Sequence, residues 1–268
     1  MFAYDFMANA FAAGTIVAVV AGVVGFMLVL RGQAFAGHAL AHIGFAGATG
    51  AVLAGVPPLW GLVLLTVAAG AGMGFGGKQV GERDVAIGVV LSLALGFGLL
   101  FLHFYTAGAT QATALLFGSI LGVEAGTIWT LAGLGALCLA AFAALSRPLL
   151  FATLQPELAE ARGVPVRLVS VLFMAVAGLA VALCVPVVGV LLVFALTVGP
   201  AAAAQRWTGR IRPGLALAVT LAVGQTWAGL ALANWTDWPV SFWISTLSAT
   251  VYGLACLPTW RVRASVAL

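Results

Sequence analysis

Two of the chain's three histidines stand four residues apart in a run of small and apolar residues, "AGHALAHIGFAG" over 36–47. On a helix, His38 and His42 share one face, one turn apart, about 6 Å along the axis. Imidazole is the commonest protein ligand for metals such as Zn²⁺, and a pair at this spacing offers two nitrogens to one ion. The alternative is two packed histidines, each bonded to a neighbouring helix. A lone histidine in an apolar helix favours packing; a pair on one face, in a chain with so few histidines, favours ligands. Two ligands do not close a metal site, since structural zinc takes four. No Asp, Glu or Cys elsewhere is well placed to complete it, so a two-fold dimer would supply His38 and His42 of a second copy. The small residues Gly37, Ala41, Gly44 and Ala48 would let other helix backbones close in around the pair.

The elements that must position these residues follow from composition. The chain has 268 residues, 63% hydrophobic and 7% charged, with mean hydropathy +1.18. A soluble domain carries about 25% charged residues. Eleven basic and seven acidic side chains cannot build a water-facing surface on this length. The chain reads as an integral membrane protein, and apolar runs this long cross as helices, not as barrel strands. Cys138, Cys184 and Cys256 stand singly in apolar runs and read as small buried hydrophobes. The N-terminus lacks a basic region and a cleavage site, so the first helix is expected to be a retained span.

A bilayer core needs about 20 apolar residues per helix. Cutting at charges and Pro/Gly turns gives nine segments, 8–30, 34–55, 58–77, 85–104, 126–146, 167–185, 187–205, 213–233 and 239–260. Eight would result if "CVPVVG" (184–189) were a kink inside one helix. Under nine spans all eleven basic residues fall on one side. The positive-inside rule makes that side cytoplasmic, with the N-terminus outside and the C-terminus inside. The other side keeps Asp5, Glu124 and Asp237, and weak acidity there attracts cations. His38 then lies about 10 Å of rise from the cytoplasmic end, where an ionisable group faces a bundle interior or cavity. His103 lies at the outer end of the fourth span, as an entry ligand or as a histidine of the membrane–water interface. The segment 111–123 is apolar but too short to cross, and fits a short helix or re-entrant piece packed against protein.

The longest polar stretch, 147–167, joins spans five and six. Within it Pro156, Glu157, Glu160 and Arg162 form a short helix with proline in the first turn, acids early and arginine late, an order that suits the helix dipole. Gly163 and Pro165 stop it. It reads either as a connector on the membrane surface or as a docking element for a cytoplasmic partner.

With these pieces in hand, "LRGQAFAGHALAHIGFAGATGAVLAG" (30–55), "RDVAIGVVLSLALGFGLLFL" (83–102), "LFGSILGV" (116–123), "QPELAEARGV" (155–164) and "VVGVLLVFALTVGPAAAAQ" (187–205) resemble one family. It is the membrane permease of the zinc/manganese/iron ABC importers served by a cluster A-I binding protein, and the resemblance covers nearly the whole chain. It implies one all-α polytopic permease domain over 1–268, with eight or nine spans, in the bacterial inner (plasma) membrane. It implies a homodimer, two cytoplasmic ATP-binding subunits that hydrolyse ATP, and an extracytoplasmic metal-binding protein. It implies that the stretch from Pro156 to Gly163 is the coupling helix. Neither enzyme activity nor a permanently bound cofactor nor nucleic acid is implied; the metal is cargo.

The sequence departs from the family at two places. His38 stands where the common pattern has Asp, although a histidine-bearing variant occurs, and Gln155 stands where Asp often precedes the Pro-Glu pair. An all-nitrogen pair favours Zn²⁺ over Mn²⁺, which prefers carboxylate and water oxygen; Mn²⁺ or Fe²⁺ is the alternative cargo. An intramembrane zinc hydrolase would need a general base as in H-E-x-x-H, and the residues between these histidines are Ala39, Leu40 and Ala41. A secondary transporter would need an intramembrane proton or ion relay, and apart from the histidines none is present.

Overall fold

Without water, long apolar segments satisfy their backbone only as helices. The computed structural model describes residues 5–75, 80–104 and 115–257, and these are helical apart from short connections. Lys78, Arg261, Arg263 and 111–114 lie outside them. The helices are α1 (Asp5–Leu30), α2 (Ala34–Leu53), α3 (Pro58–Gly74), α4 (Val80–Phe104), α5 (Ala125–Leu154), α6 (Pro156–Ala161), α7 (Val166–Val188), α8 (Val190–Trp207), α9 (Ile211–Thr236) and α10 (Val240–Cys256). Each of the nine expected segments coincides with one of them. Six are long and apolar enough to cross a bilayer: α1, α4 over Asp84–Phe104, α5, α7, α8 and α9. The 17-residue α3 and α10 are apolar but shorter. Helix α2, 20 residues long, is not among the six.

Two boundaries differ from the sequence division. The fifth segment does not stop at 146, and the connection starting at 147 is shorter than expected. Helix α5 runs through Arg147 and Pro148 to Leu154, because Pro148 removes only one ladder bond and the following "LLFAT" buries Leu149 and Ala152. The sixth and seventh segments meet three residues later than expected. Helix α7 continues past Pro186 to Val188, and one residue, Gly189, joins it to α8. Gly189 has φ 87°, and a Cβ there would strike the backbone of Phe117 and Gly118. The segment before α5 supplies a helical turn at 115–117 and a 3₁₀ turn, Ile120–Gly122, with Ile120 buried beside Gly14 of α1.

The helices touch backbone to backbone where glycines stand. Gly47 of α2 and Gly61 of α3 face each other, and a Cβ on either would strike the other's carbonyl. Gly25 of α1 meets Thr197 of α8, Gly70 of α3 meets Met174 of α7, and Gly178 of α7 meets Thr66 of α3 in the same way. Small residues of this kind let helices associate in lipid, where apolar burial supplies no drive. By contrast α4 exposes Val85, Val89, Leu93 and Leu99, an outward apolar face suited to lipid.

The bundle has two chemically distinct ends. At one, Arg31, just after α1, bonds Thr153 of α5 and Ser170 of α7, Arg167 stacks on Phe75 after α3, and Gln205 of α8 donates to the Phe26 carbonyl of α1 at 2.7 Å. Arg206, on the same turn, stacks on Tyr252 of α10. The opposite end carries exposed Trp60, Trp129, Trp235 and Trp238, the amphipathic rings that settle at membrane–water interfaces.

Two expectations follow. Gly61→Ala places a methyl group against the Gly47 carbonyl, an overpacking worth about 1–3 kcal/mol. The solubilised protein should melt at lower temperature, whereas Gly224→Ala, with open space at its Cβ, should not; equal melting of both would mean that α2 and α3 are not in backbone contact. For orientation, single cysteines replacing the exposed Glu124 and Glu160, in a background without the native cysteines, should react with a membrane-impermeant thiol reagent from outside and from inside respectively. Reversed or two-sided labelling would overturn the orientation.

Candidate metal station and coupling helix

The face of α2 opposite its glycine contacts carries the histidines. Gly44 packs on Leu62 and Thr66 of α3, and Gly47 on Gly61; at about 100° per residue these positions point away from His38 and His42. The two imidazole rings lie 4.7 Å apart, edge to face at 80°. The His38 ring also meets Phe194 of α8, 5.5 Å away at 81°. Both histidines are half-buried. The Nδ1 atom of each is buried and has no hydrogen-bond partner. A polar atom withdrawn from water without a partner is costly, and within the chain neither ring makes the bond to a neighbouring helix that the packing alternative expects.

Among the described residues, no group of three or more His, Cys, Asp or Glu comes together to hold a metal ion. His103 is exposed at the far end of α4. That helix meets α2 at Gly50, against Phe101, about 12 Å of rise beyond His42, so His103 does not join the pair within one protomer. Cys138, Cys184 and Cys256 are free thiols; the first two are buried, as small hydrophobes are.

Phe194 carried no signal in the sequence, being one apolar residue in an apolar run. It also lines a cavity of about 380 Å³ between α8 and α10, with Val198, Gly199, Ser245, Ser248 and Tyr252. The cavity extends from the level of His38 towards the arginine-rich end, where Tyr252 meets Arg206.

The short helix α6 forms where the sequence places it. Pro156 occupies its first turn with Glu157 behind it. Its C-terminus closes with Gly163 N donating to the Glu160 carbonyl at 3.0 Å and Val164 N to the Ala159 carbonyl at 2.9 Å. Gly163 sits at φ 79°, the left-handed conformation this closure requires. Ala159 is buried, so α6 is anchored, while Glu157, Glu160, Arg162 and Gly163 are exposed on the arginine-rich end. Gln155 precedes the helix without a side-chain cap.

The model of the ABC 3 transport family matches residues 3–258. The chain is 28% identical over 256 residues to the manganese transport system membrane protein MntC of Halalkalibacterium halodurans, covering 95% of this chain and 88% of that protein. It is 28% identical over 228 residues to the manganese import system permease protein ScaB of Streptococcus gordonii, covering 85% and 82%. Its fold is similar to a chain of PsaBC from Streptococcus pneumoniae, solved in complex with Fab, with TM-score 0.83 at 24% identity over 97% of this chain and 95% of that one.

Proposed function

Because this chain belongs to the ABC 3 transport family, we propose that it is the permease of an ATP-driven importer of divalent transition-metal ions, with His38 and His42 as the cargo's intramembrane ligands. It is a transport subunit, not an enzyme, and a multi-pass protein of the bacterial inner membrane. Two copies form the pathway, two cytoplasmic subunits hydrolyse ATP, and an external binding protein delivers the metal. The observation that carries the reading is the pair of adjacent imidazoles with unpartnered Nδ1 atoms inside a family of transporters.

The donor set favours Zn²⁺. Two copies would offer four neutral nitrogens, which zinc accepts and manganese, a carboxylate and water-oxygen metal, does not seek. The names of the manganese-transporting relatives favour Mn²⁺ as the second reading. The bound state must be weak enough to release. Phe194 and the cavity beside it offer a route from the pair towards the cytoplasmic, arginine-rich end. His103 is a candidate entry ligand on the outer side.

Reconstituted with its partners, the complex should take up radiolabelled zinc when ATP is present. His42→Ala and the His38→Ala, His42→Ala double variant should lose nearly all uptake while still assembling and hydrolysing ATP. Wild-type uptake in the double variant would remove the histidines from the pathway. Competition between zinc and manganese decides the cargo: zinc should win in the wild type, and His38→Asp should move the preference towards manganese.

The coupling helix has its own outcome. Proline holds φ near −65° and cannot adopt the left-handed angle of Gly163. Gly163→Pro should therefore open the closure of α6 and uncouple hydrolysis from uptake, with the permease still assembled. Normal metal-stimulated hydrolysis together with normal uptake would take α6 out of the mechanism.

A further inference from the structure

Arg31 follows the last residue of α1, and its guanidinium reaches two other helices and the turn before α2. Nη1 donates to Thr153 Oγ1 at 2.8 Å, Nη2 to Ser170 Oγ at 2.7 Å, and Nε to Gln33 Oε1 at 3.2 Å. Its Cζ lies 5.6 Å from the ring centre of the fully buried Phe173. Thr153 is in the last turn of α5 and Ser170 in the first turns of α7. The segment between them is α6 with its two short connections. One side chain therefore spans both helices that flank α6.

On its other side Arg31 belongs to the turn that opens α2. That turn is tight: Arg31 N bonds the Met27 carbonyl at 3.0 Å, Gly32 N that of Val29 at 3.0 Å, and Gln33 N that of Leu28 at 2.7 Å. Gly32 takes φ 64° to allow it. Gln33, itself buried, is the residue before α2. His38 follows within the next turn and a half of helix. A fixed turn therefore links the guanidinium to the first ligand.

We propose that Arg31 is a positioning residue for transport: it carries movement of α6, through the ends of α5 and α7, to the start of α2 and so to His38. This rests on the function proposed above. The guanidinium suits the task because its planar fork holds two hydroxyls in fixed directions, which a lysine ammonium does not. The competing route runs from α7 to α3 at Gly70 and Gly178, then to α2 at Gly47 and Gly61. Those are backbone contacts that Arg31 variants leave intact, so the two routes are separable.

The test uses the reconstituted complex with wild type, Arg31→Gln, Arg31→Lys and Ser170→Ala. It reads metal taken up per ATP hydrolysed and, separately, equilibrium metal binding without nucleotide. Arg31→Gln should lower uptake per ATP by roughly tenfold while binding stays within about twofold. Arg31→Lys should fall between it and the wild type, and Ser170→Ala should fall by a smaller factor in the same ratio. Ser170→Ala removes one hydroxyl at a half-buried position, so it decides the matter if Arg31→Gln does not assemble. Unchanged uptake per ATP in Ser170→Ala and Arg31→Lys overturns the proposal and leaves the coupling to helix contacts that do not involve Arg31. Loss of metal binding in step with uptake also overturns it, since that marks a merely structural role. Failure of the underlying function looks different: the wild-type complex itself moves no metal, and the Arg31 proposal falls with it.

Discussion

In a bilayer the lipid tails are as apolar as a leucine side chain, so helices gain nothing by hiding leucine from them. What holds this bundle is close approach. Where Gly47 meets Gly61, and Gly25, Gly70 and Gly178 meet the carbonyls of Thr197, Met174 and Thr66, backbones come within dispersion range along α1, α2, α3, α7 and α8. The same contacts hold α2 in the bundle although it carries two histidines. Its glycine side docks on α3, and that docking leaves its other side to carry polar groups.

That division of α2 into two sides is what makes a histidine pair possible. Each imidazole costs free energy in hydrocarbon, and here each keeps a buried Nδ1 without a partner. The two rings meet each other, and that of His38 also meets Phe194, contacts that satisfy no lone pair. An arrangement of this kind is stable enough to persist only if the surrounding backbone holds it, and the glycine side supplies that rigidity.

The legible parts of the molecule were local ones. Helix positions follow from apolar runs, the His38–His42 face from a four-residue spacing, the start of α6 from Pro156 and its end from Gly163 and Pro165. The illegible parts depend on partners far away in the chain. The charge at Arg147 reads as the end of the fifth span, yet the buried Leu149 and Ala152 carry α5 on to Leu154. The joint between α7 and α8 sits at Gly189, not at Pro186, because Gly118 and Phe117 press on that residue. Phe194 gave no periodic or chemical sign of its place beside His38. Arg31 marked a helix end, but its bonds to Thr153 and Ser170 span 122 and 139 positions, beyond any local pattern.

The charge of the cargo sets the last constraint. The acidic side chains whose surroundings are described, Asp5, Asp84, Glu124, Glu157, Glu160 and Asp237, lie at or near helix ends or in connections. On the proposed function, a divalent cation held by His38 and His42 would keep its full charge inside the bundle. Neutral nitrogens supply strong directional bonds but no compensating charge, so the ion's stay is favoured by ligation and opposed by the low dielectric around it. That opposition is useful in a transporter, because a site that cancelled the charge completely would hold the ion instead of passing it on. A carboxylate in place of His38 would shift this balance towards retention, and would need a larger conformational change to expel the metal. On the proposed function, the imidazole pair would be a station built for release.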